Sequence, residues 1–159
     1  MMFTELLKKS NLLYRKHFYF TLILYFIITI FLRAQAIKEN WTPVNNNSNK
    51  IYINTVGLEN FKEDDIYVWV LEEHRQPIVM EGIDVKIYKT KTYFLLNKHL
   101  RRYSILQIIF YDSKNNVIKS YNYERNNDNP DFKYSSPILE GSDVSVVLLK
   151  CIEVIASKK

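Results

Sequence analysis

The sequence is poor in the residues that most enzyme chemistry needs. Its 159 residues hold one cysteine, Cys151. No intramolecular disulfide can form, so the chain is not a disulfide-stapled secreted module. Three glycines leave no phosphate-cradling loop. The three histidines are His17, His74 and His99. Together with Cys151 they supply no recognisable set of three or four zinc ligands, so no metal site is expected. Carboxylates come in adjacent pairs, Asp64 with Asp65 and Glu72 with Glu73. Neighbouring residues of a strand point to opposite faces, so neither pair makes an acid–base dyad. These absences argue against an enzyme and against a bound cofactor.

What the chain does have is a stretch of fifteen residues, 18–32, without one charge. Eleven of them are Phe, Leu or Ile. Together they favour membrane insertion by roughly −3 to −7 kcal/mol, enough to engage an export machinery. As a helix the stretch covers about 22 Å against a hydrocarbon core of about 30 Å. That length suits a short anchor, with Arg15, Lys16 and Arg33 reaching to the interfaces, or the core of a signal peptide. Ala34 and Ala36 then match an A-x-A cleavage pattern, and cleavage after Ala36 would leave a chain starting at Ile37. Both outcomes stay open. Lys8, Lys9, Arg15 and Lys16 precede the stretch, offset by Glu5, so the N-terminus is expected in the cytoplasm and the C-terminal part outside it. The expected location is the cell inner membrane, crossed once, or the periplasm after cleavage.

Charge divides the chain in the same place. Of the net +5, residues 1–36 carry +4, from five basic residues and one acidic. Residues 37–159 carry 17 basic and 16 acidic residues, a balance of +1. The basic excess belongs to targeting, and a near-neutral domain has no net attraction for a polyanion. Four segments are expected: a basic cytoplasmic segment, 1–17; a signal peptide or anchor, 18–36; a linker, 37–49, with the polar run 45–49; and a β-domain, 50–159.

From Lys50 the pattern is β. Residues 51–56, 66–71, 78–80, 85–88 and 93–96 read as strands, the second apolar on both faces and therefore central. His74 falls at a solvated strand end in this reading. Residues 103–111 and 117–123 predict a hairpin around a turn in which Asn115 and Asn116 tolerate positive φ. Leu106, Ile108 and Phe110 should share its core face. Residues 124–137 predict a long loop, and residues 144–155 a final apolar strand that buries Cys151 as an inert thiol. The expectation is a mainly β fold: a sandwich or small barrel of about seven to nine strands after one N-terminal apolar helix. Trp69 and the phenylalanines should fill its core. Tyr52, Tyr103, Tyr111, Tyr121 and Tyr123 form either a half-buried sheet face or an exposed adhesive one.

Two resemblances add to this reading. Residues 79–87, followed by 93–100, resemble an Sm-like domain of the bacterial Hfq type. That family ends its second motif with a Lys-His pair that binds uridine-rich RNA, and Lys98 and His99 are the matching residues here. Leu100 replaces the usual small residue, and the glycine of the bent second strand is absent. The whole chain is similar to small spirochaete-type membrane proteins encoded with flagellar genes, the FlgV family, once proposed to be Hfq-like. The likeness lies in the length, the single N-terminal apolar segment and the Lys-, Ile- and Asn-rich β-domain. It implies a non-enzymatic, membrane-associated role through protein contacts in flagellar or envelope assembly, with an envelope protein, flagellar or other, as partner. RNA binding by Lys98 and His99 is the alternative.

Overall fold

In the computed structural model, residues 39–44, 50–61, 63–123 and 133–157 are described, and all belong to one unit, Glu39–Lys159. The apolar stretch, the site after Ala36 and residues 124–132 of the expected loop lie outside them. Among the described residues no helix is long and apolar enough to cross a membrane.

These residues form an open antiparallel sheet. β1 (Trp41–Val44), β2 (Lys50–Asn54), β3 (Asp65–Met80), β4 (Ile83–Asn97), β5 (Arg102–Tyr111) and β6 (Val117–Asn122) lie side by side in chain order. β7 (Ser136–Pro137) pairs with the start of β5, Arg102 opposite Pro137. β1 falls in the segment expected as a linker. It pairs Trp41 with Asn54 and Val44 with Ile51, and buries Val44. Four expected short runs merge into two long strands, β3 and β4, of 16 and 15 residues.

The sheet does not close, and no second sheet faces it among the described residues. The residues expected as a last strand form a helix instead, α1 (Asp143–Ser157). Its buried residues, Ser145, Val147, Leu148 and Cys151, follow helical spacing, while Leu149 and Ile152 are exposed. Ser142 caps the start, its hydroxyl accepting the Ser145 N–H at 3.2 Å. The helix takes the place of a second β layer. Ile51, Ile53, Ile66, Val68, Val70 and Leu96 from the sheet close one core with Val147, Leu148 and Cys151. Leu58, in the 3-10 turn Leu58–Asn60, joins them.

β3 and β4 run on past β2 and β5 as a two-stranded arm, with register shifts at Glu73/Ile78 and Ile78/Met80. Gly82 turns its tip at φ 75°. Ile83 and Ile87 of the arm are buried with Phe110, beside Ile108 and Tyr121. Pro77 on one strand, and Asp84 and Lys86 on the other, blunt the arm against strand addition. The β5–β6 hairpin forms as expected, with Asn115 at φ 64°. Leu106 is not part of its core row. Phe94 faces Ile105 and Tyr93 faces Gln107, so Leu106 is the extra residue of a bulge.

Candidate binding face

Alternation along β3 sorts its side chains. Ile66, Val68 and Val70 enter the core against α1, so Tyr67 and Trp69 project from the opposite face. Trp69 is therefore half-buried on the face away from α1 and does not fill the core. Register sets β4 beside it: Tyr93 faces Trp69, and Lys91 faces Leu71. β1 contributes Trp41.

The result is a continuous ladder of side chains. The Lys91 ammonium lies 5.5 Å from the Trp41 ring centre and 4.8 Å from that of Trp69. Trp69 stacks on Tyr93 at 4.7 Å and 21°. Tyr93 meets Tyr67 at 6.2 Å, and Tyr67 meets Phe61 at 5.8 Å. Glu39 closes the upper end. Its carboxylate pairs with Lys91 and accepts the Trp41 indole N–H at 3.1 Å. Burial pushes the Tyr93 hydroxyl above its ordinary value, and the neighbouring Tyr67 adds to this. The ammonium on Trp rings and the stacked pair engage ring faces inside the chain.

Two further ion pairs lie on this side. Lys89 pairs with Glu73 at 3.0 Å, and Lys133 with Asp65 at 2.6 Å. The second pair belongs to a polar latch at the foot of the ladder. Asn97 donates to Asp65 at 2.7 Å and to the Tyr134 hydroxyl at 2.9 Å, and that hydroxyl donates to Asp65. Buried Ser104 donates to the Lys133 carbonyl at 2.7 Å and accepts the Ser135 N–H at 2.9 Å. Burial raises the Asp65 pKa, but hydrogen bonds from Lys133, Tyr134 and Asn97 outweigh it and hold the carboxyl below its usual value. Residues 133–137, expected as loop, are thus tied to the sheet.

Lys98 and His99 sit in the turn that joins β4 to β5, next to Asn97 of the latch. The Lys98 ammonium donates to the Glu63 carbonyl at 2.7 Å and lies 3.6 Å from Asp64. His99 is exposed, its N–H donating to Asn97 Oδ1 at 3.1 Å. His74 is not at a solvated strand end. Its ring is 8 % exposed within β3, 2.8 Å from the Thr90 hydroxyl and 3.5 Å from Glu72. Cys151 is fully buried, and burial pushes its thiol up to about 12. Among the described residues no cluster of His, Cys, Asp and Glu could hold a metal ion.

The tyrosines divide between the two faces. Tyr52 and Tyr111, opposite Leu71 and Lys89, share the ladder side. Tyr103 meets Phe94 beside the main core, and Tyr121 meets Phe110. The ladder's own members, Trp41, Tyr67, Lys91 and Tyr93, went unnoticed in the sequence. The odd positions of β3 were legible by alternation from Ile66; the contribution of β1 was not.

Comparison with protein-family models, curated proteins and solved structures found no match. The fold and face define a class by themselves: an open antiparallel sheet, with one face covered by a helix and the other carrying an aromatic ladder.

Proposed function

We propose that this chain is a non-enzymatic β-domain, membrane-tethered or exported, that acts through protein contacts in envelope or flagellar assembly. The observation that carries this is the ladder on the face opposite α1. Trp and Tyr in a half-buried row are what protein interfaces concentrate, because each offers a large apolar body and a polar tip. Three lysines of that face, Lys89, Lys91 and Lys133, are already paired with carboxylates, which favours a protein partner over a polyanion. The ring faces engaged within the ladder leave less of the flat surface on which unpaired bases stack. The apolar stretch at 18–32 and the basic residues before it supply the tether and its direction.

The test uses the full chain in its native membrane. A photo-crosslinking residue at Tyr111, on the ladder side, should give discrete protein adducts, and one at Leu149, exposed on α1, should give none. Adducts at Leu149 alone would move the contact to the helix face. A reporter fused after Lys159 should be active outside the cytoplasm, and activity inside would overturn the export reading. N-terminal sequencing separates a product starting at Ile37 from an intact anchor.

A further inference from the structure

The turns at one end of the sheet carry a chemistry that the ladder does not use. The β4–β5 turn runs Lys98-His99-Leu100-Arg101, and Arg102 opens β5. Leu100 is 56 % exposed. Arg101 and Arg102 are exposed, and neither has an ion pair among the described residues; Arg102 donates one N–H to the Tyr134 carbonyl at 3.0 Å. The Arg101 carbonyl, on a backbone at φ 51°, accepts the Ile138 N–H at 2.7 Å, which sets Leu139 beside the turn. Leu139 is 66 % exposed. Two leucines and two arginines thus stand together in solvent.

Strand direction shows where the chain enters the domain. β1 is antiparallel to β2, and the Asn40 carbonyl accepts the Thr55 N–H at 2.9 Å, so the chain before Trp41 comes from the end of the sheet where β2 finishes. Register carries that end across the sheet: β3 starts there at Asp65, β4 finishes there at Asn97, and β5 starts there at Arg102. The arm tip at Gly82 is at the other end of β3 and β4. Eight residues, 33–40, separate the apolar stretch 18–32 from Trp41. Fully extended, they would span at most about 28 Å.

We propose that this end of the domain docks on the phospholipid surface of the membrane that holds the tether. Leu100 and Leu139 enter the headgroup region, and Arg101 and Arg102 meet lipid phosphates. A guanidinium matches phosphate oxygens two at a time, and exposed leucines leave water in that layer. The short span 33–40 keeps this end near the bilayer at high effective concentration, so a small patch suffices. The inference rests on the membrane-tethered reading and deepens it, because it assigns one end of the sheet to the lipid.

The test uses the full chain in phospholipid vesicles that contain an anionic lipid and a doxyl-labelled lipid. Cys151 is buried, so an environment-sensitive fluorophore can be attached selectively at His99→Cys in the turn or, as a control, at Glu81→Cys on the arm. Doxyl lipid should quench the label at His99→Cys and leave the label at Glu81→Cys bright. Each arginine near an anionic surface shifts docking about fivefold, so Arg101→Gln with Arg102→Gln should raise the undocked-to-docked ratio about 25-fold. Leu100→Ser with Leu139→Ser should also undock the turn. Near-ultraviolet circular dichroism reports whether these variants fold, and the two label positions decide the question without them. Equal quenching at both positions, or none at either in a chain that floats with the vesicles, would overturn the proposal alone. A chain that alkaline carbonate strips from the vesicles would sink the tether reading and this inference with it. Discrete protein adducts from a photo-crosslinking residue at Leu100 in the native membrane would assign the turn to a protein and overturn lipid docking.

Discussion

Trp69 on β3 and Tyr93 on β4 stand opposite each other, and their rings stack at 4.7 Å with 21° between planes. The pair is the middle of the ladder and joins the two longest strands of the sheet. Cross-strand aromatic pairs are the unit by which a sheet face is stabilised. A double-mutant cycle of Trp69→Ala and Tyr93→Ala, read by urea unfolding, should give a coupling of about 0.5–1.5 kcal/mol. Additive effects would mean that the stack contributes nothing beyond the area each ring buries.

Lys91 ties the first strand to that pair. Its ammonium lies near both Trp41 and Trp69 and pairs with Glu39. Lys91→Met should destabilise the domain by about 0.5–1 kcal/mol, as expected of a partly exposed cation–π contact and ion pair. Amide exchange at Trp41 and Thr42 should quicken more than in β3. Uniform exchange rates would show that β1 is held by its backbone pairing alone.

The latch around Asp65 makes stability depend on acid pH. The folded pKa of Asp65 lies below its ordinary 3.8. Its contribution is therefore present above 3.8 and lost as pH falls through the folded value. The urea midpoint should drop between pH 5 and pH 2. Asp65→Asn should start lower at pH 7 and drop less over the same range. An equal drop in both would assign the acid sensitivity to other carboxylates.

The Cys151 thiol is fully buried and protonated up to about pH 12, so the thiolate that alkylating reagents attack is scarce. Native protein should stay unmodified by iodoacetamide at pH 8, and urea should release one reactive thiol. Fast modification of native protein would show that the lower part of α1 opens.

The full chain should bind uridine-rich RNA weakly, and Lys98→Ala with His99→Ala should change this little. The Lys98 charge is already met by Asp64, and residues 37–159 carry a balance of +1. Filter binding across a salt series checks it. Phosphate contacts on single strands would give a slope near −0.7 each. Tight, salt-steep binding that depends on both residues would restore the RNA reading.

Much of the strand pattern was legible in residue order. The apolar run 66–71 marked a central strand, though not which of its faces meets the core, and β-branched and aromatic residues marked the β5–β6 hairpin with its Asn115 turn. Trp41–Val44 was hidden because a four-residue strand beside an Asn-rich run carries too little periodicity to read. Leu106 was misplaced because a bulge shifts alternation by one residue without a mark in composition.

The sequence by itself determined where the charge lies, that no disulfide can form within the chain and that the domain is built mainly of strands. Those follow from counting residues and from local sterics. Tertiary structure decided that residues 143–157 form a helix. Their middle is apolar at successive positions, which suits a buried strand as well as a helix. Ser142 and Asp143 ahead of the run were the one local sign of a helix start. The sheet face that needed covering then settled which form of the segment buries Leu148 and Cys151. The ladder likewise exists only in the folded sheet. Glu39 and Lys91 are 52 residues apart, and antiparallel register across β1 to β4 brings them into one row with Trp41, Tyr67 and Tyr93.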